Sequence, residues 1–336
     1  MSLILLALAG IGAIAVLRFA YFLYQFLSFH LLIPSEPLKK YKRANTTAYA
    51  LVTGSSAGIG LGIAQELVRQ GFGVILLGHL PDELASAAST LQQIAPRAQI
   101  RTLVLNARTA TPAELESALQ PLTSTLRITI LVNNVGGNPI HHGRHGAVAT
   151  PAFRPHATYS AADVDAVIDM NARFMARLTA LLLPHLSKPP APGSGERSLV
   201  LTLSSGAHIG VPWLVMYGAT KAFNRALGVG LARELAADPA TAHVDSLVVV
   251  PGEVRTQGNC RDLPAGSPSW DRFGREIVRK ADGAVSRGWR EMHPFWWHGV
   301  EDVLARTVSE AVRSKGVTEQ LARKKRAWDE VYEKEK

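Results

Sequence analysis

Apolar positions follow different rhythms along this chain. From Leu3 to Leu17 every residue is apolar or glycine; Arg18 interrupts, and a second apolar stretch rich in Phe, Tyr and Leu runs to Ile33. A spanning helix needs about 20 apolar residues, so this segment can cross a bilayer. Arg18 leaves two readings, one tilted helix whose arginine snorkels or a shallower hairpin, and the single span is favoured. Positive charge follows the run instead of preceding it, which favours an uncleaved anchor over a signal peptide. A buried core helix would be shorter and less uniformly apolar.

Between Asn45 and about Val250 short apolar runs alternate with helix-like segments, the pattern of a parallel sheet covered on both faces. The spacing predicts strands at Ala48–Thr53, Gly73–Leu77, Ile100–Leu105, Ile128–Val132, Leu199–Leu203 and Val244–Val249. Ser187–Arg197, rich in Pro, Gly and Ser, reads as a solvent-exposed loop. Asn138–Ser160 is long enough to suggest a functional rim. Beyond Cys260 come Trp270, Trp289, Trp296 and Trp297, then an amphipathic segment with Val300, Val303, Leu304, Val308 and Val312 at helical spacing, read as a packed face.

Composition narrows the function. A chain of 336 residues can hold one large α/β unit with extra ends. Its one cysteine, Cys260, excludes an internal disulfide framework and a Cys-based zinc site. The net charge of +9 suits a polyanionic cofactor or an anionic membrane face. No zinc-finger spacing or basic recognition helix accompanies it, so nucleic acid is not an expected partner. His141, His142 and His145 lack a supporting carboxylate or cysteine, and no metal is expected. The basic cluster Lys39, Lys40, Lys42 and Arg43, just after the apolar span, predicts that the remainder faces the cytosol.

The stretch Ala50 to Gly60 is an apolar strand entering a glycine-spaced turn, followed by the helical pattern Leu61–Arg69. Gly54 permits the tight turn, Gly58 lets the backbone approach phosphate, and Gly60 lets helix and strand pack. The helix N-terminus adds unpaired N–H groups and positive dipole. Such a turn suits a pyrophosphate. An NAD site usually carries a carboxylate after the second strand; here Gly78-His79 stands there, with no acid before Asp82 and with Ser55 and Ser56 nearby. NADP(H) is therefore the expected cofactor.

Tyr217-Gly-Ala-Thr-Lys221 places a phenol and an ammonium four residues apart, on one face of a helix. A fixed cation favours the phenolate, which a tyrosine with a pKa of about 10 otherwise resists at neutral pH. Upstream, Ser204-Ser205-Gly206 ends a strand with two hydroxyls, one of which could bond a substrate carbonyl. Asn133-Asn134-Val135-Gly136 ends another, and Asn171 lies in the helical segment between them.

These residues together resemble the short-chain dehydrogenase/reductase family, over roughly Ala48 to Thr256. The ordered motifs are Thr53-Gly-x-x-x-Gly-x-Gly60, Asn133-Asn-Val-Gly136, Asn171, Ser205, Tyr217-x-x-x-Lys221 and Pro251-Gly252-x-Val254-x-Thr256. The resemblance implies Tyr217 as general acid in ketone reduction, Lys221 lowering its pKa and holding ribose, Ser205 orienting the carbonyl, and Asn171 supporting a water-linked proton relay. It implies cofactor contacts from Gly54, Ser55, Ser56, Gly58, Ile59, Gly60, His79, Asn106, Asn133, Tyr217 and Lys221, and from Pro251, Gly252, Val254 and Thr256 at the nicotinamide end. The family's serine-to-tyrosine spacing points to Ser204, and the Ser-Ser-Gly pattern to Ser205. Ser205 is preferred because loops shorten more readily than strand registers slip. Asn106 stands where the family usually has an aspartate.

The anchor, the basic linker and the late Pro294-Phe-Trp-Trp-His298 segment further resemble the endoplasmic-reticulum subgroup of very-long-chain 3-oxoacyl-CoA reductases and 17-beta-hydroxysteroid dehydrogenases. That implies a lipophilic ketone entering from the bilayer side, with the segment after Thr256 as a lid; a homodimer or tetramer is common in the family, though a membrane anchor can discourage it. A non-catalytic dinucleotide- or lipid-binding scaffold is the alternative, and the intact Asn171, Ser205, Tyr217 and Lys221 argue against it. The expected architecture is α/β, a Rossmann-type doubly wound parallel sheet of about seven strands with an N-terminal membrane helix and a C-terminal helical lid. The expected divisions are an anchor over 1–34, a basic linker over 35–47, a cofactor-binding catalytic domain over 48–262, and a lid with amphipathic helix over 263–336.

Overall fold

The computed structural model describes residues 3–32, 37–137 and 153–335. The His141, His142 and His145 cluster and most of the connection around it lie outside the described residues. All six expected strands form: β1 (Ala48–Thr53), β2 (Gly73–Gly78), β3 (Ile100–Val104), β4 (Arg127–Asn133), β5 (Ser198–Leu203) and β6 (Val244–Val249). A seventh, β7 (Glu291–Met292), is too short to leave a periodic signal. The order β3-β2-β1-β4-β5-β6-β7, parallel throughout, is that of a doubly wound Rossmann-type sheet. Because the chain leaves β3 at one edge and re-enters as β4 beside β1, a crevice opens where the β1 and β4 carboxyl ends diverge.

The helices are α1 (Leu3–Leu31), α2 (Gly58–Arg69), α3 (Pro81–Ile94), α4 (Pro112–Thr125), α5 (Ala161–Ile168), α6 (Phe174–Leu186), α7 (Val215–Ala237), α8 (Trp270–Ser286), α9 (Trp296–Thr307) and α10 (Glu310–Glu335). Successive strand residues point to opposite faces. Ala50, Val52, Val74, Leu76, Ile130 and Val132 pack with residues of α2, α3 and α8. Tyr49, Leu51, Ile75, Leu77, Ile128 and Leu131 pack with α4, α6 and the end of α7. Each fully buried aliphatic side chain is worth about 1.5–3 kcal/mol, and the central strands bury both rows. α2 and α8 meet glycine to glycine: a Cβ on Gly274 would lie 2.4 Å from the carbonyl carbon of Gly62.

α1 is one unbroken helix through Arg18, which matches the single-span reading and not the hairpin. It is long and apolar enough to cross a membrane, and its large side chains point outward, exposed, from Leu3 to Leu27. Its last turns pack on the body. Phe29 is buried and stacks on Trp289 at 4.9 Å, while Arg287 donates to Gln25 Oε1 and Ser28 Oγ.

The basic stretch after α1 packs against the body: Tyr41 is fully buried, its hydroxyl donates to Asp245 at 2.9 Å, and Lys40 pairs with Asp282 and Asp245. The Pro/Gly/Ser-rich loop is exposed along most of its length, as expected, and is held at its end, where Arg197 bonds Asp245 through two nitrogens and Arg43 pairs with Glu196. Acids distant in sequence gather these cations, which local composition does not reveal.

Candidate active site

The site begins where β1 ends. Gly54 and Gly58 take φ of +60° and +58°, a left-handed conformation that only glycine enters freely. A Cβ on Gly60 would lie 2.2 Å from the Gly54 carbonyl oxygen, so the turn can close on α2 only without one. α2 starts from Ala57 with no side-chain cap and no acid in its first turn, leaving its first N–H groups and dipole open to an anion. Thr256 lies beside the turn, 3.9 Å from where a Gly58 Cβ would stand.

The end of β4 is tied to this turn. Thr53 Oγ1 accepts from the backbone N–H of Asn134 and Val135, at 2.8 and 2.9 Å, and the Asn134 amide donates to the Thr53 and Gly54 carbonyls. Asn133, expected at the cofactor, instead points inward, because alternation along β4 puts it on the opposite face from Asn134. Its amide donates to Thr179 at 2.8 Å and it is almost wholly buried. Asn134 is the residue that braces the turn.

Residues 169–173 between α5 and α6 form a π-helical turn, a feature that often marks functional sites. The wider turn carries Asn171, fully buried, to the loop after β4. Its Oδ1 accepts from Gly137 N–H and its Nδ2 donates to the Gly137 and Val167 carbonyls, at 2.9–3.0 Å. These bonds occupy the amide, so Asn171 fixes the loop and has no spare donor for a water.

Tyr217 and Lys221 follow one another by a turn on α7. The Lys221 Nζ is buried, 5.4 Å from the centre of the Tyr217 ring, and donates only a long bond, 3.5 Å, to the Leu203 carbonyl among the described residues. Burial pulls its pKa down to about 8. Such a poorly satisfied ammonium fits an oxygen-rich ligand that would complete its bonding. Burial pushes the Tyr217 phenol above its ordinary value; a hydrogen bond with Ser205 works against that, and the Glu253 charge adds to it. Burial outweighs the Ser205 hydrogen bond in that balance.

The two serines separate by geometry. Ser204 is buried and donates to the Lys221 backbone carbonyl at 2.7 Å. Ser205 caps the short turn Gly206–Ile209 and faces the Tyr217 hydroxyl.

Around the rim, Val254 and Pro251 are buried. Gly252 N–H donates to His298 Nδ1 at 3.2 Å, and a Cβ on Gly252 would lie 2.6 Å from that imidazole. Glu253 pairs with Lys324 of α10 and accepts from Asn259. Asn106 is exposed, its Oδ1 accepting from Arg108 N–H, and His79 is exposed beyond β2. Ser56 donates to the Glu83 carboxylate at 3.0 Å. Ser55 instead turns inward, donating to the Leu77 carbonyl at 3.4 Å, and Ile59 is half-buried against the core of α2 and α8.

Sequence reasoning gave Glu83, His298 and Lys324 no place at the site, although His298 closes the late Pro294-Phe-Trp-Trp-His298 segment. They reach the site through α3, α9 and α10, whose positions only the tertiary fold defines.

Comparison with known proteins agrees with this geometry. The family model for short chain dehydrogenases matches residues 48–263. A very-long-chain 3-oxoacyl-CoA reductase of Mycosarcoma maydis is 28% identical over 65% of this chain and 59% of its own length. Its counterpart in Coprinopsis cinerea is 29% identical over 89% of this chain and 82% of its own. The solved short-chain dehydrogenase from Sphingobium yanoikuyae in complex with NADPH superposes with a TM-score of 0.58, at 24% identity, over 79% of this chain and 97% of that one. With the family model matching more than half of the chain, residues 48–263, the chain belongs to the short-chain dehydrogenase family, oxidoreductases of CH–OH and C=O groups.

Proposed function

We propose that this chain is an NADPH-dependent reductase of a lipophilic ketone, a long-chain 3-oxoacyl thioester before a ketosteroid, held at the endoplasmic reticulum with its catalytic part in the cytosol. The observation that carries the reading is the convergence of Ser205, Tyr217 and Lys221 beside an uncapped, glycine-built phosphate turn. The α1 helix and the names of the fungal relatives support the lipid setting.

The residues fit the dinucleotide. The open N-terminus of α2 would hold the pyrophosphate, and the under-bonded Lys221 ammonium would hold the ribose hydroxyls. When bound, the reduced cofactor supplies the hydride that adds to the substrate carbonyl carbon. Tyr217, kept protonated by burial, donates its proton to the carbonyl oxygen as negative charge develops there. Ser205 donates a hydrogen bond to the same oxygen, stabilising charge present only in the transition state. Asn171 holds the Gly136–Gly137 backbone against Lys221, and Thr256 and Gly252 shape the rim.

The test is direct. Purified full-length protein in detergent, given NADPH and a panel of 3-oxoacyl-CoAs and ketosteroids, should oxidise NADPH fastest with the long acyl thioesters. Equal rates with short, water-soluble ketones would contradict the assignment of substrate.

A further inference from the structure

α9 is amphipathic in the reverse of the usual sense. With about 100° between residues, His298, Asp302 and Ala305 share one face. That face meets the protein: His298 is buried, and Asp302 pairs with His293 and Arg306. The opposite face carries Trp296, Val300, Val303 and Leu304, flanked by Trp297, with no charge among them. Trp296, Trp297 and Leu304 are 48%, 42% and 55% exposed. A helix on a water-facing surface puts its apolar stripe inward; this one puts it outward. The sequence expectation of a packed face is thereby corrected.

Its neighbour indicates what covers that stripe. α1 rises about 1.5 Å per residue, so a hydrocarbon core of about 30 Å takes about 20 residues, Leu3 to roughly Phe22. Phe26 lies one turn further, about 6 Å along the axis, at headgroup depth. There it meets α9: a Cβ on Gly299 would lie 3.4 Å from the Phe26 ring.

We infer that α9 rests in the headgroup layer of the bilayer that α1 crosses, with Trp296, Trp297 and Leu304 seated among the acyl chains. This rests on the proposed reading of α1 as a membrane anchor. Tryptophan at this depth matches the interfacial preference of its amphipathic ring, and an apolar face in the interface plane is how surface helices bind lipid. The consequence is functional. The other side of α9 holds the Gly252–Glu253 loop through His298, so the bilayer and the rim of the active site lie about one helix diameter, ~10 Å, apart. A ketone with an acyl tail can reach Tyr217 while part of that tail stays in lipid.

The experiment uses the full chain in phosphatidylcholine vesicles, with and without lipids brominated in the upper acyl chain, and reads quenching of tryptophan emission. The fraction quenched should fall at least twofold in the Trp296→Phe/Trp297→Phe double variant. Equal fractional quenching in wild type and double variant overturns the inference, as does self-association of the wild type in detergent that Leu304→Asp abolishes, which would assign the face to a second copy. Flotation of the same vesicles at high pH separates the two readings. Protein that floats but shows equal quenching sinks only the α9 inference, whereas protein that fails to float sinks the anchor and the inference with it.

Discussion

Ser204 donates its hydroxyl to the backbone carbonyl of Lys221 at 2.7 Å, so the strand that ends beside Tyr217 is pinned to the helix that carries it. Its neighbour Ser205 has no such commitment and faces the phenol. Ser205→Ala should therefore lower kcat about 10²–10³-fold with little change in dinucleotide affinity, as loss of a transition-state donor does. Ser204→Ala should retain most of its turnover and unfold earlier, by about 1–3 kcal/mol for a buried carbonyl left unpaired. Steady-state kinetics beside thermal melts of both variants check the pair; loss of turnover in the Ser204 variant alone would reverse the roles.

Lys221 gives a pH dependence with a definite sign. Its folded pKa of about 8 lies below the ordinary lysine value of 10.5, so between these values the unfolded chain binds more protons and this residue's contribution to stability rises with pH. Cofactor binding runs the other way, since ribose hydroxyls and phosphates favour the ammonium. Dinucleotide affinity should fall as pH rises through about 8, by up to tenfold per unit, and Lys221→Met should bind weakly with no such fall. Fluorescence titration across that window measures it.

Glu83 places a carboxylate on the phosphate turn through Ser56. A second negative charge brought there by a ribose phosphate is repelled, so Glu83→Gln should tighten NADPH about fivefold, ~1 kcal/mol at surface screening, and leave NADH nearly unchanged. Binding isotherms for the two cofactors decide this; equal changes for both would show that Glu83 does not read the phosphate.

What was legible in the sequence followed short-range physics. Strands β1, β2, β4, β5 and β6 announced themselves because two buried faces require mostly apolar runs, and Tyr217, Lys221 and the turn glycines stand at fixed local spacings. Misreadings arose wherever partners are far apart. Asn133 and Asn134 differ only in which side of β4 they occupy, which the motif alone does not state. Lys40, Arg43 and Arg197 gain Asp282, Glu196 and Asp245 as partners only in the fold. The stripe on α9 has the right period for a core helix, and period says nothing about which way the stripe faces.

The glycine contact between α2 and α8 is a packing prediction. Gly274→Ala forces a methyl against the Gly62 backbone, which cannot yield as a side chain would. The variant should lose about 1–3 kcal/mol by overpacking, read as a lower midpoint in urea with the slope unchanged.

Most directly, Tyr217→Phe removes one oxygen and leaves the ring. NADPH should bind with nearly the same Kd, while reduction of a long-chain 3-oxoacyl-CoA slows about 10²–10⁴-fold, the usual worth of a placed proton donor. Turnover at the wild-type rate would contradict the account.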